Sequence, residues 1–463
     1  MNPSRCVFNG LDGTTGEPLL APMTPEELLE HLDLDGWSPA PASRRLGFGV
    51  DPRDLAASGW GVAFAPGLAP EERREIRDAL EPLLALRKRQ AGDRFRDFGE
   101  ELFDDPERDG GLSLLGRLGA GAGPVNPDEA PYYLLLVGPP GQVSFRAQYE
   151  LGLAFAVGRL DFATAEEYAR YAESVVAAES GRVRRARKVA LVAPAHDEAT
   201  RMSCHGLTGP LAGRLLDAAA TARDGWEVES RLEAEAHKDR FASVLGGDGA
   251  PALAFTASHG VAFPCGHERQ EAEQGALVCQ ERGAADRAGL GPERLFGASD
   301  VSDTADVAGL VSFHFACYGA GSPARDSFAH RRPGNPPAPV APEARVAALP
   351  RRLLGHPKGG ALATVGHVDR AWAWSFISGG AYHREVFEST VLELLAGFPV
   401  GAAMQHFGER HGQLAGILAS TLDRRRHGGE VSADELARLW TAAVDARNYV
   451  ILGDPAVRLA AEA

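Results

Sequence analysis

The stretch Ala252–Phe263, ALAFTASHGVAF, is an apolar run of strand length that stops on His259 and then Gly260. A second stretch, Leu310–Ser322, LVSFHFACYGAGS, stops in the same way on Cys317, with Gly319 and Gly321 behind it. Continuous apolar runs this short read as strands buried on both faces. Around the pair, strand-like and helix-like segments alternate: VALVAPA (189–195), TGPLAGRLLDAAATA (208–222), WEVESRL (226–232), KDRFASVLG (238–246) and, after the cysteine, GGALATVGHV (359–368). Alternation of this kind specifies an α/β fold with a mostly parallel sheet wound by right-handed crossovers. In such sheets functional side chains gather beyond the carboxyl ends of the strands. His259 and Cys317 both stand at such ends.

The chain has 463 residues, 44% of them hydrophobic and 24% charged, so it can bury a large core and hold two or three domains. A net charge of −15 argues against a nucleic-acid partner. No apolar run approaches the length of a membrane span, and MNPSRCVFNGLDGTTGEP lacks the apolar stretch of a secretory signal. Five cysteines, an odd and small number, argue against a disulfide framework and for a reducing, cytoplasmic setting.

Organisation is least legible over 1–130, read as an N-terminal extension. Within it MTPEELLEHL opens with the capping-box pattern of Thr24 and Glu27 around Pro25. WGVAFA (60–65) reads as a strand, 70–90 as a helix interrupted at Pro82, and 109–131 as a Gly- and Pro-rich loop. YYLLLVG (132–138) and AFAVGRL (154–160) read as buried strands, followed by an amphipathic helix capped by Thr164 and Glu167. Residues 131–182, with part of 1–130, form a first, non-catalytic α/β subdomain. The basic stretch RVRRARK (182–188) reads as a solvated linker, and 187–463 as the catalytic subdomain.

A cysteine attacks as thiolate, yet a free thiol with a pKa near 8.5 is only partly ionised at neutral pH. A neighbouring histidine can take its proton and hand it to a leaving amine. The oxyanion formed on the attacked carbonyl needs two donors, for which the N–H groups of Gly260 and Cys317 are the candidates. Either side chain alone is also what a half-buried core residue looks like; the two together, each with glycine behind it, favour chemistry.

Ser258-His259-Gly260 and Ala316-Cys317-Tyr318-Gly319 resemble the His-Gly and Ala-Cys-x-Gly signatures of the caspase-like cysteine peptidases, although Phe315 stands where caspases carry Gln. YYLLLVGPPGQV, VGRLDFATAEEYARYAESVVAAE and YVILGDPAVRL (449–459) resemble segments of the gingipain-like branch, so the likeness covers roughly 130–460. The resemblance implies a caspase-like α/β/α sandwich of two adjacent subdomains with the dyad in the second, and a cysteine endopeptidase that needs no cofactor or metal. Its partner would be a protein or peptide substrate. An extracellular protein-degrading role does not carry over.

Clostripain-like relatives place a specificity acid two residues before the cysteine, a position held here by Phe315. Separase-like relatives carry one just after the next strand, and Asp369 in ATVGHVDRAW occupies the comparable place. Asp369 is therefore the candidate for the pocket that binds the residue before the cut, selecting Arg or Lys by charge-assisted hydrogen bonds; Arg370 is the competing base. Trp372 and Trp374 are secondary subsite candidates. The Pro-rich loop 322–344 contains Arg331-Arg332, a site an Arg-specific enzyme could cut in itself. Residues 263–282 read as a hairpin or flap between the two dyad strands. Cys265, His267 and Cys279 match no zinc spacing, and Cys204-His205 lacks a strand-end setting. GPPG (138–141) lacks the phosphate-loop pattern. The alternatives to a constitutive peptidase are an effector switched on by a partner or signal acting on 1–130, or a non-proteolytic scaffold with the same fold.

Overall fold

The computed structural model describes residues 10–29, 46–103, 111–118, 124–222, 225–280, 290–328, 338–378 and 381–462. Ten strands form one sheet: β1 (Trp60–Phe64), β2 (Phe95–Asp97), β3 (Tyr133–Val137), β4 (Ala156–Leu160), β5 (Lys188–Ala193), β6 (Glu227–Leu232), β7 (Leu253–Ala257), β8 (Val311–Phe315), β9 (Ala363–His367) and β10 (Tyr449–Gly453). Their spatial order is β2-β1-β3-β4-β10-β9-β8-β7-β5-β6. Every pairing is parallel except β9 with β10, which is antiparallel. The expected mostly parallel, caspase-like α/β fold is thus what the chain adopts, with its two halves fused into a single sheet at the β9–β10 seam.

The buried runs explain themselves. All five residues of β1, β3, β4, β7, β8, β9 and β10 are buried, as strands covered on both faces must be. Edge strand β6 reads EVESRL and stays partly exposed, with charged side chains that discourage pairing with another chain. Helix α1 (Pro25–Leu29) starts where expected: Glu27 accepts from the Thr24 N–H and Thr24 Oγ1 from the Glu27 N–H. The capping box of Thr164 and Glu167 likewise opens helix α3 (Ala165–Glu179).

Two local expectations change. Helix α2 (Pro70–Ala91) runs unbroken through Pro82, because Pro82 lies on the exposed face, where water satisfies the carbonyl its missing N–H leaves unpaired. The stretch 109–131 holds a short helix, Gly111–Arg117, among its turns.

Buried charge ties the end of β10 to β1, α2 and α3. Asp454, just after β10, accepts from Arg87 Nε of α2 at 2.7 Å and from Trp60 Nε1 of β1 at 3.0 Å, while its own N–H donates to Tyr171 Oη of α3 at 2.6 Å. Among the described residues no helix is long and apolar enough to cross a membrane.

Candidate active site

Register brings the two reactive side chains together. β7 and β8 pair with Ala257 level with Phe315, and the ladder continues one step further as the Ser258 N–H donates to the Phe315 carbonyl at 3.1 Å. The next residues on these neighbouring strands are His259 and Cys317. A methyl group built on Gly260 would lie 1.8 Å from the Cys317 carbonyl oxygen and 3.0 Å from its nitrogen, so only glycine lets the strand ends meet this closely. The groups flanking Gly260 pair with the returning segment: the Val261 N–H donates to Ala276 and the Val278 N–H to His259. In an antiparallel ladder that spacing turns the Gly260 N–H away from the partner strand.

His259 is held by both ring nitrogens. Nε2 lies 2.8 Å from Asp197 Oδ2, and Nδ1 accepts from the Gly10 N–H at 2.8 Å. Nδ1 is therefore the acceptor, and Nε2 carries the hydrogen and donates it to Asp197. Asp197 caps helix α4 (Glu198–Ser203), which follows β5, the sheet neighbour of β7. Burial works against its carboxylate, but the hydrogen bond from His259 and the donors of Thr200 prevail and hold it well below the usual carboxylate range. His196 stacks on His259, with ring centroids 6.4 Å apart and 12° between planes. Burial pushes its pKa down to about 4, so it forms a neutral wall.

Cys317 is fully buried, and burial pushes its thiol up to about 12 against the Ala371 N–H, which donates to Sγ at 3.3 Å. Tyr318 and Asp369 both take positive φ, 57° and 71°, and are joined by a bond from the Tyr318 N–H to the Asp369 carbonyl at 2.7 Å. Non-glycine residues rarely adopt this backbone, and it is held here by the strand-end turns that aim Cys317.

Asp369 lies next to the dyad, beyond β9, and is fully buried. Its Oδ2 accepts from the Ser327 N–H at 2.7 Å and its Oδ1 from the Arg370 N–H at 2.8 Å. Arg370 pairs with Asp326 and stands 3.8 Å from Asp369, giving two carboxylates to one guanidinium. Phe315 packs on Phe376 and Phe387 in the core. Trp372 is buried beside Leu28, Leu418 and Trp440, with Trp374 stacked on it at 5.6 Å. The rival pair separates: the Cys204 thiol points to the Ala193 carbonyl, while His205 pairs with Glu233. Cys265 is exposed and Cys279 buried, and among the described residues no three His, Cys, Asp or Glu side chains gather as a metal site would require. Residues 264–276 loop back to pack behind His259, closing the bridge between Gly260 and Leu277. Arg331-Arg332 lies outside the described residues.

Two elements were missed from sequence. One is Asp197, whose only signal is an acid just past the strand that neighbours the histidine strand. The other is the segment Gly10–Asp12, in which Leu11 and Asp12 pair in parallel with Val261 and Ala262.

Neither a family model nor a curated protein matches the sequence. Among solved structures, one described as a protease matches with TM-score 0.51 at 13% identity, covering 88% of this chain and 80% of that one. The Arg-specific cysteine proteinase gingipain R matches with TM-score 0.45 at 12% identity, covering 87% and 78%. A complex of the pro- and mature domains of a Porphyromonas gingivalis gingipain matches with TM-score 0.45 at 12% identity, covering 87% and 80%. At this identity the likeness is one of fold.

Proposed function

We propose that the chain is a cysteine endopeptidase whose nucleophile is Cys317 and whose general base and acid is His259. The observation that supports it most is the strand register that sets His259 and Cys317 side by side, with Gly260 against the Cys317 backbone. His259 takes the thiol proton, Sγ bonds to the substrate carbonyl carbon, and the Gly260 and Cys317 N–H groups receive the oxyanion. The C–N bond then breaks as His259 gives its proton to the amine, and water hydrolyses the thioester. Asp197 holds the imidazole in the tautomer that leaves Nδ1 unprotonated, the form that can take the thiol proton once the Gly10 N–H is withdrawn.

Asp369 is proposed to set the preference for Arg or Lys before the cut. The site supports this by its charge, since Asp369 and Asp326 outnumber Arg370. A basic substrate residue would reach Asp369 by displacing the Ser327 N–H. Among the described residues no cysteine is joined in a disulfide, which fits a reducing compartment such as the cytoplasm.

The test is hydrolysis of a peptide library varied at the residue before the cut, by the wild type and by Leu11→Asp, which loosens the segment over the dyad. Turnover after Arg or Lys, lost in Cys317→Ala and redirected in Asp369→Ala, is expected. Turnover that survives Cys317→Ala would remove the nucleophile assignment, and cutting after Asp would remove the pocket assignment.

A further inference from the structure

Residues 10–29 cross the dyad and are anchored on both sides of it. Gly10 donates to His259 Nδ1, and a methyl group built on it would lie 3.1 Å from Cys317 Sγ. Beyond the parallel pairing of Leu11 and Asp12, the Gly13 N–H donates to the Ala262 carbonyl at 2.7 Å. The Asp12 carboxylate gathers the N–H groups of Thr14 and Thr15, and the Leu19 N–H returns to the Gly10 carbonyl at 3.0 Å, so 10–19 closes as a compact loop. Leu11 is buried with Val261, Phe263 and Leu290. Further along, Leu28 of α1 is buried against Trp372, Leu418 and Trp440.

We propose that the edge Gly260–Phe263 is the strand that binds the substrate residues following the cut, and that in the resting chain it is held by residues 10–12 as an internal pseudosubstrate. The proposal rests on the peptidase reading of the site. During acyl transfer the general acid must reach the nitrogen of the leaving amine. The Gly10 nitrogen occupies that place, so Gly10 stands for the first residue after the cut and Leu11 for the second. The hydrogen bond, however, runs in the opposite sense. The Gly10 N–H donates to Nδ1 and occupies the lone pair that would take the thiol proton, leaving Cys317 a thiol and the bound segment uncut. The seat also defines what fits. Gly10 has φ 123°, a backbone that favours glycine, and a Cβ on it would stand 3.1 Å from Cys317 Sγ. Substrates are therefore segments with glycine, then an apolar side chain, after the cut.

The thiols supply the assay. Iodoacetamide modification of the full chain is followed by peptide mass mapping, with exposed Cys265 as the reactive standard and buried Cys279 as the reporter of an intact fold. With the thiol at about 12, its thiolate fraction at pH 7.5 is about 3,000-fold below that of an ordinary thiol of pKa near 8.5. Cys317 of the wild type is expected to react at least about 100-fold more slowly than Cys265. Leu11→Asp, and independently Gly10→Val, should raise the Cys317 rate at least about tenfold while Cys279 stays protected. Added peptide GLDGTTGEPL should restore protection to Leu11→Asp, and GDDGTTGEPL should not.

Equal rates at Cys317 and Cys265 in the wild type would overturn the proposal. So would two folded variants with unchanged Cys317 rates, or an opened enzyme indifferent to both residues after the cut. An opened Cys317 that hydrolyses no peptide would support the pseudosubstrate strand as a cover while removing the peptidase reading, so the two failures are distinguishable.

Discussion

Gly260→Ala adds one methyl group at the point where the strand ends carrying His259 and Cys317 touch, and its consequence follows from distances. The new Cβ would stand 1.8 Å from the Cys317 carbonyl oxygen and 2.8 Å from the carbonyl carbon. Carbon–oxygen contacts settle near 3.3 Å, so the strand ends must part by about 1.5 Å. Both partners are backbone, and no side chain can swing aside to absorb the strain. A displacement of this size at a reacting centre costs on the order of 100-fold in rate, or about 2.7 kcal/mol of transition-state stabilisation. The stability cost of such overpacking is about 1–3 kcal/mol. The assay compares kcat/KM for peptide hydrolysis in the Leu11→Asp background, with urea unfolding run alongside. Gly416→Ala, on an exposed helical position with nothing within 4 Å of the new methyl, is the control and should leave kcat/KM unchanged. A folded Gly260→Ala enzyme within threefold of its parent would refute the claim that Gly260 and the Cys317 backbone form one reacting surface.

Asp197→Asn keeps the shape of the orienting group but removes its charge, so kcat/KM in the same background should fall about 100-fold, with the loss appearing in kcat. Because the Asp197 carboxylate is held below its ordinary range, its contribution to stability is present above about pH 4 and fades as pH falls; the Asn variant should lack that acid-side loss in thermal unfolding. Cys317 has the opposite sign. Its folded pKa of about 12 exceeds that of the unfolded thiol, so above about pH 8.5 the unfolded chain releases the proton first and stability falls by about 1.4 kcal/mol per pH unit. Cys317→Ala should flatten that part of a urea-unfolding series against pH. Arg87→Met strands the fully buried Asp454 carboxylate and should destabilise the chain by about 3–5 kcal/mol in urea, while the Cys317 alkylation rate stays that of the wild type.

The juxtaposition of His259 and Cys317 was legible because each residue ends an apolar run too short to be anything but a buried strand, and because parallel sheets put strand carboxyl ends on one edge. Asp197 was not. It is one of 63 acidic residues in the chain, and its acid after a strand becomes informative only once β5 is known to lie beside β7. Gly10 was less legible still, since its partner His259 is 249 residues away and the pairing of Leu11 and Asp12 is too short to leave a periodic pattern. Asp369 was located correctly beyond β9, but sequence could not reveal that positive φ and two backbone donors would enclose its carboxylate. Pro82 shows the complementary limit, because the cost of a helical proline depends on which face it occupies, and that is a tertiary fact.

The antiparallel seam accounts for the site having formed on only one half. Asp197, His259, Cys317 and Asp369 follow the carboxyl ends of β5, β7, β8 and β9, which share an edge. The carboxyl ends of β1, β3 and β4 face the opposite edge, because β10 is parallel to β4 but antiparallel to β9. There the fully buried Arg159 is consumed by Gln148 and the carbonyls of Gly138 and Val143. The same reversal delivers something to the active edge. Because β10 runs against β9, its entry rather than its exit lies beside the end of β9, where the Val368 N–H donates to the Asn448 carbonyl at 2.9 Å. Asp445, a few residues earlier, thereby reaches the loop after β9, accepting from the Trp372 N–H at 2.9 Å and from the Ser375 hydroxyl. That loop carries Ala371, whose N–H meets Cys317 Sγ. A parallel β10 would place Asp445 at the far edge, so the strand that joins the two halves also fixes the donor beside Cys317 Sγ.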